Sequence, residues 1–432
     1  MKRRVDFSPF WRAEDWWSVW LAAVIVFFSL TGLMGQAPRV GRWTHSVGAV
    51  MTTETVIGIL ALGLGFAALT AVAVGFTGGH VRSYLRGFIG VFGLSVIAYI
   101  LGSQATMAHY GINNVIWALG LGLLVANVLG QPEWIKPAMQ SGLFIKMGLV
   151  LLGAEILFHR VLSLGVYGLG VAWLVTPPVL YLMYVFGTRV LKISSTPLVA
   201  TVAAATSVCG VSAAIAAGTA TRATREEISY AISMSLVFTV IMMVLMPVIC
   251  GWMGLSEVVS GAWIGGTVDS TGAVVAAGAL VGPVAMEVAA VIKMIQNVLI
   301  GIVAFVLAMI WVSREGVSSG STRPRMMEMW DRFPKFILGF VGASMLFSLV
   351  FTPLMGVEGV DQLVRVTSGF RGWLFCLAFT SIGLESNLGQ MKKLMRSGSP
   401  LLLYVVGQSL NLVVTLIAAW LIFGGVLFAP PV

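Results

Sequence analysis

Long runs without Asp, Glu, Lys or Arg rule out most folds for this chain. Such runs cover 87–132, 161–188, 229–256, 336–357 and 397–432. A soluble domain carries about 25% charged residues, whereas this chain carries 10% and is 58% hydrophobic. Apolar stretches of about 18 residues or more read as membrane-spanning helices, because only a helix or a closed barrel satisfies its own backbone in hydrocarbon. The pattern predicts an all-α polytopic membrane protein of about eleven spans, near 16–35, 56–76, 87–103, 112–130, 142–157, 161–187, 229–251, 283–312, 334–356, 371–389 and 399–428. The first apolar run reads as a retained helix rather than a cleaved signal. Asp6, Glu14 and Asp15 precede it, no small-x-small site follows Leu33, and Trp16, Trp17 and Trp20 form an interfacial belt.

The net charge of +9 invites a nucleic-acid reading, but its distribution along the chain excludes one. On the eleven-span topology most cations fall on one side, including Lys2, Arg3, Arg4, Arg82, Arg86, Arg189, Lys192, Arg222, Arg225, Arg323, Arg325, Arg332, Lys392, Lys393 and Arg396. Arg39, Arg42, Arg160, Arg365 and Arg371 fall opposite. The positive-inside rule then sets the N-terminus in the cytoplasm and the C-terminus outside, in a bacterial inner membrane. The connection 313–335 is a charged loop. Cys209, Cys250 and Cys376 are too widely spaced for a disulfide framework or a metal site.

Two segments stand outside the span count, 196–218 and 260–281. Ser207-Val-Cys-Gly-Val-Ser-Ala-Ala-Ile-Ala-Ala-Gly218 aligns without a gap with Thr267-Val-Asp-Ser-Thr-Gly-Ala-Val-Val-Ala-Ala-Gly278. Each begins small and polar, turns small and apolar, and ends at Gly. Paired Gly-interrupted segments point to a transporter's binding site, with breaks lined by hydroxyls and free amides. The bland alternative is a pair of Ala/Gly helix-packing faces, against which Asp269 argues, since a carboxylate at that depth usually marks an ion path. Re-entrance of both segments puts Arg222 and Arg225 on the cytoplasmic side, and crossing puts them outside; the charge rule favours re-entrance and an inverted repeat. A weaker echo joins Leu152-Gly-Ala-Glu155 to Ile382-Gly-Leu-Glu385. The Gly-x-Glu helix precedes its small-residue segment in the first half and follows it in the second, so a simple tandem duplication does not describe the order.

Lys146, Glu155, Asp269, Glu287, Lys293 and Glu385 lie in or at the ends of spans. Lys293, Gln296 and Asn297 share one helix face at i, i+3 and i+4. A cation beside two amides suits an anion; equally, Lys293 could pair with Asp269. Lys146 reads as snorkelling toward the cytoplasm, Glu287 as interfacial, and Glu155 and Glu385 as end charges. Asn113, Asn114 and Asn127 read as interhelical glue, and Pro177-Pro178 as a kink.

Cys209-Gly-Val-Ser-Ala-Ala-Ile-Ala-Ala217, Thr267-Val-Asp-Ser-Thr-Gly-Ala-Val-Val-Ala-Ala277 and the Lys293 helix together resemble the sulfate exporter family of YeiH-like membrane proteins, and Glu14-Asp-Trp-Trp17 is similar to its longer members. The resemblance covers roughly 85–430. It implies kinship with the cation:proton antiporter and anion transporter group, with inverted repeats and two discontinuous segments. Where that pattern implies a His before the Asp, Val268 stands here, which removes a His from any proton relay.

These readings give an N-terminal extension over 1–84 with two spans and a transporter domain over 85–430. The expected function is secondary active export of a small anion such as sulfate, a sulfonate or a small carboxylate. No G-x-x-x-x-G-K-[ST] loop is present, so an ion gradient would drive it. Substrate contacts are expected at Ser207, Cys209, Gly210, Ser212, Ser270, Thr271, Gly272, Lys293 and Asn297, and ion coupling, by H⁺ or Na⁺, at Asp269. Partners would be the anion, the coupling ion, the bilayer and a second copy in a homodimer. No cofactor, metal, enzymatic step or nucleic acid is expected. A membrane-embedded ion-pump subunit or a channel is the alternative.

Overall fold

The computed structural model describes residues 9–109, 114–156, 158–314, 334–386 and 398–428. Most of the charged connection 313–335, the cations Lys2, Arg3, Arg4, Arg323, Arg325, Arg332, Lys392, Lys393 and Arg396, and Asn113 lie outside the described residues. In chain order the main helices are α1 (Glu14–Leu30), α2 (Thr53–Phe76), α3 (Val81–Gly102), α4 (Asn114–Leu124), α5 (Ser141–Glu155), α6 (Phe158–Val185), α7 (Thr196–Ser207), α8 (Gly210–Ala220), α9 (Arg225–Trp252), α10 (Glu257–Thr267), α11 (Thr271–Val281), α12 (Pro283–Arg314), α13 (Phe336–Met345), α14 (Thr352–Glu385) and α15 (Ser399–Phe423). The described residues form no strand beyond a lone bridge between Trp43 and Gln104.

The chain is an all-α polytopic membrane protein. Among the described residues eight helical stretches are long and apolar enough to cross a bilayer, and one of them, Phe336–Glu385, is 50 residues long. Gly356 interrupts that stretch at φ 72° and ψ 170°, a left-handed backbone open to Gly at no steric cost. The stretch is therefore two helices. With α1 and the shorter Asn114–Gly130 they make up the expected spans. One boundary differs. The span expected over 371–389 begins just past Gly356, so Glu358, Asp361 and Arg365 ride on a helix with exposed side chains instead of lying in a loop.

The helices divide into two compact units, Met1–Val161 with Lys335–Asn387, and Leu162–Pro334 with Leu388–Val432. In the first unit α5 and α14 run antiparallel. Ser141, at the start of α5, donates to Glu385 at the end of α14 (2.8 Å), and Glu155, at the end of α5, pairs with Arg371 (2.6 Å). The first unit thus holds both Gly-x-Glu echoes, and they face each other in opposite directions. Lys146 does more than snorkel, since its ammonium lies 2.8 Å from both Glu14 and Asp15 and ties α1 to α5. Asn127 donates to the Leu123 and Ser386 carbonyls at 2.8 and 2.9 Å, the gluing role expected of it.

The second unit holds both small-residue segments, and each is a helical hairpin. α7 starts at Ser195, whose hydroxyl accepts the Leu198 amide, with Pro197 in the first turn. It stops at Val208, and α8 folds back along it. A Cβ on Gly218, near the end of α8, would lie 3.3 Å from Thr201 Oγ1 on α7. Ser195 also bonds Glu227 at the foot of α9, and Glu227 closes a capping box with Thr224. The second hairpin is built the same way. Glu257 opens α10, and its carboxylate accepts the Val284 and Ala285 amides at 3.0 and 3.4 Å, just past the end of α11. One hairpin opens at the first residue of α9 and the other just past its last. The 28 residues of α9 separate the two open ends by about 42 Å. The segments therefore turn back from opposite ends of a spanning helix, as the re-entrant reading requires.

Candidate functional site

The hairpin tips meet. The Gly210 amide, first in α8, donates to the Asp269 carbonyl at 2.8 Å. A Cβ at Gly210 would overlap Ser235 Oγ on α9 and lie 3.5 Å from Asp269 Cβ, so a side chain there would push the tips apart. Both tips are broken backbone, with Cys209 and Ser270 extended as the N-terminal caps of α8 and α11.

A broken helix exposes carbonyls at one end of the gap and amides at the other. At this crossing the carbonyl ends are already occupied. Lys293 on α12 donates to the Val208 carbonyl at 2.6 Å and to Gln296 Oε1 at 2.7 Å. Gln296 Nε2 bridges both hairpins, at 3.0 Å from the Ser207 carbonyl and 3.1 Å from that of Gly266. From α15, Gln408 reaches the Thr267 carbonyl at 3.0 Å and Asn411 the Thr206 carbonyl at 3.2 Å. Thr176, beside the proline pair in α6, adds a bond to the Ser207 carbonyl. The amide ends differ. Val211 and Ser212 open α8, and Thr271 and Gly272 open α11, where no preceding turn supplies acceptors. Two helix N-termini thus turn their positive ends toward the junction.

Asp269 and Lys293 are each 1% exposed. The carboxylate Oδ2 accepts the Tyr404 hydroxyl of α15 and, at 3.3 Å, that of Ser235. Among the described residues no ion pair within 4.0 Å joins Asp269 to Lys293. The direct pairing that the sequence left open is replaced by hydroxyls on one partner, and a carbonyl and an amide oxygen on the other. Buried charges that do not touch must each be met by polar groups, and both are.

The structure gathers most of the residues singled out from the sequence. Thr271 Oγ1 accepts Asn297 Nδ2 at 3.0 Å, and Asn297 Oδ1 is buried without a partner. Cys209 and Gly272 are buried at the tips, and Ser270 is half-buried. Three differ from expectation. The Gly210 amide is taken by the opposite tip. The Ser207 hydroxyl turns back to Ala203 at 2.7 Å, leaving only its carbonyl at the crossing. Ser212 is exposed. Glu155, Glu385 and Lys146 belong to the first unit. Ser235, Tyr404, Gln408 and Asn411 were missed, although 404, 408, 411 and 415 fall at i, i+4, i+7 and i+11, one polar stripe on an apolar helix. Among the described residues no group of three or more His, Cys, Asp or Glu could hold a metal.

The sequence profile of a family described as conserved hypothetical protein 698 matches residues 86–404. A UPF0324 membrane protein of Nitratidesulfovibrio vulgaris is 49% identical over 376 residues, covering 84% of this chain and 63% of that protein. A second from that organism is 48% identical over 360 residues, covering 82% and 62%. A UPF0324 membrane protein of Rhodopirellula baltica is 47% identical over 386 residues, covering 89% and 71%. The chain thus spans less than two thirds of the length of the two N. vulgaris proteins. No solved structure matches. The profile covers most of the chain, both hairpins, α12 and the first turn of α15 with Tyr404, and on that ground the chain belongs to the conserved hypothetical protein 698 family.

Proposed function

We propose that this protein is a secondary active transporter of a small anion such as sulfate, a sulfonate or a small carboxylate, working as an exporter and driven by H⁺ or Na⁺. It acts as a carrier and not as an enzyme. One observation carries the reading. At the hairpin junction the carbonyl ends of the breaks are saturated by Lys293, Gln296, Gln408 and Asn411, while the amide ends of α8 and α11 lack intrahelical acceptors. Break carbonyls capped by side chains, with two helix N-termini turned toward the same junction, suit an anion. Lys293 supplies the compensating charge, and Asp269, held by Tyr404 and Ser235, is the coupling carboxylate. The charge rule orients the chain in the inner membrane with the N-terminus in the cytoplasm and the Arg222–Arg225 foot of the first hairpin on the same side.

The reading is tested with the full chain in liposomes, following labelled sulfate, a short alkyl sulfonate and acetate under an imposed pH or Na⁺ gradient. Uphill movement of at least one anion, abolished by dissipating the gradient, is expected. Movement of none of them under either gradient would end this reading.

A further inference from the structure

A cavity of about 550 Å³ opens in the first unit between α1, α2 and the connection 34–39. It lies almost wholly outside the segment that defines the family, since only Phe370 of its lining falls within 86–404. Along α2 the lining runs through Glu54, Gly58, Ala61, Gly65 and Leu69, one face of the helix. Fifteen residues of rise make that face about 22 Å long. Val24, Ile25 and Phe28 of α1 form the opposite wall. Nothing lies within 4 Å of where a Cβ on Gly65 would sit, so the middle of the groove is open.

The dimensions select the occupant. The lining is apolar and too long for a small solute, but a single acyl chain fits, and one leaflet of the hydrocarbon core is about 15 Å deep. Among the described residues of the lining, the charged ones are Arg39 and Glu54, both exposed at the end where α2 begins. No ion pair joins either to another described residue. One cation and one carboxylate at the head of an apolar groove match a phosphate and an ammonium. We infer that this groove binds a zwitterionic aminophospholipid of the phosphatidylethanolamine class, with an acyl chain along α2, its phosphate on Arg39 and its amine on Glu54. The inference is independent of what the hairpins carry.

The test is native mass spectrometry of the full chain in mild detergent, with equimolar phosphatidylethanolamine and phosphatidylglycerol of matched acyl chains. The wild type should retain one phosphatidylethanolamine in preference. A headgroup contact of about 1 kcal/mol per charge corresponds to about a five-fold change in occupancy. Arg39→Gln should lower both lipids by that factor. Glu54→Gln should bring the two lipids to parity, and Gly65→Leu should remove the bound lipid. Melting curves of each variant report folding, and the leucine enters open space. Equal retention of both lipids, unmoved by Gly65→Leu and Arg39→Gln, means annular lipid only and overturns the inference. A second copy of the chain in place of lipid overturns it too.

Discussion

Tyr404 donates its hydroxyl to the carboxylate of Asp269, joining α15 to the tip of the second hairpin. Both groups are buried, and Ser235 is the other hydroxyl on the same oxygen. Tyr404→Phe removes one bond to a charged group and leaves the ring stacked on Phe238. Such a bond is worth about 1.5–3 kcal/mol. Gradient-driven uptake into liposomes should fall by at least about ten-fold, with the melting temperature a few degrees lower. Uptake equal to wild type would mean that the tyrosine is only packing.

Asp269→Asn keeps the shape of the tip and removes its charge. Coupled accumulation should be lost while the variant still inserts and melts cooperatively, because few other reasons justify a carboxylate at that depth. Counterflow under equal gradients, which needs no coupling, should survive. Undiminished uphill transport would remove Asp269 from the coupling step.

Two roles are open to Lys293, and a pair of variants separates them. Lys293→Gln removes the charge and should weaken anion binding by about 30-fold or more, from the 2–5 kcal/mol typical of a truncated buried charge contact. Lys293→Arg should keep part of it. If the lysine serves only to balance Asp269, the single variant should instead lose stability and Lys293→Gln with Asp269→Asn should regain it. Calorimetric titration and thermal melting of the two singles and the double decide between these outcomes.

The hairpin geometry sets an accessibility pattern. Cysteines placed at Arg222 and Arg225, at the foot of the first hairpin, should resist an impermeant thiol reagent added outside intact cells. A cysteine at Met253, past the far end of α9, should react. Labelling at 222 and 225 with protection at 253 would show that the segment 196–218 crosses.

Much of this arrangement was legible in the sequence. The gapless match between Ser207–Gly218 and Thr267–Gly278 located both tips, because close backbone approach demands small residues and a break leaves a polar run. The spacing of Lys293, Gln296 and Asn297 gave one face of the site. Tyr404, Gln408 and Asn411 were harder to see, since lone hydroxyls and amides in apolar helices are common and mean little until the stripe is counted. The two-unit division could not be read, because 162–334 interrupts the first unit and leaves Glu155 and Glu385 far apart in sequence. The Glu155–Arg371 and Ser141–Glu385 contacts show that the two Gly-x-Glu helices are partners.

Asp269 and Lys293 carry no net fixed charge between them when both are ionised. A junction that reorients empty would then move nothing through the membrane field, and the voltage would leave that half-cycle untouched. The loaded junction is different, since each uncompensated charge carried across is worth about 2.3 kcal/mol per 100 mV. On the proposed transport cycle, the opposite charges of Lys293 and Asp269 decide which half of the cycle an electrode can see.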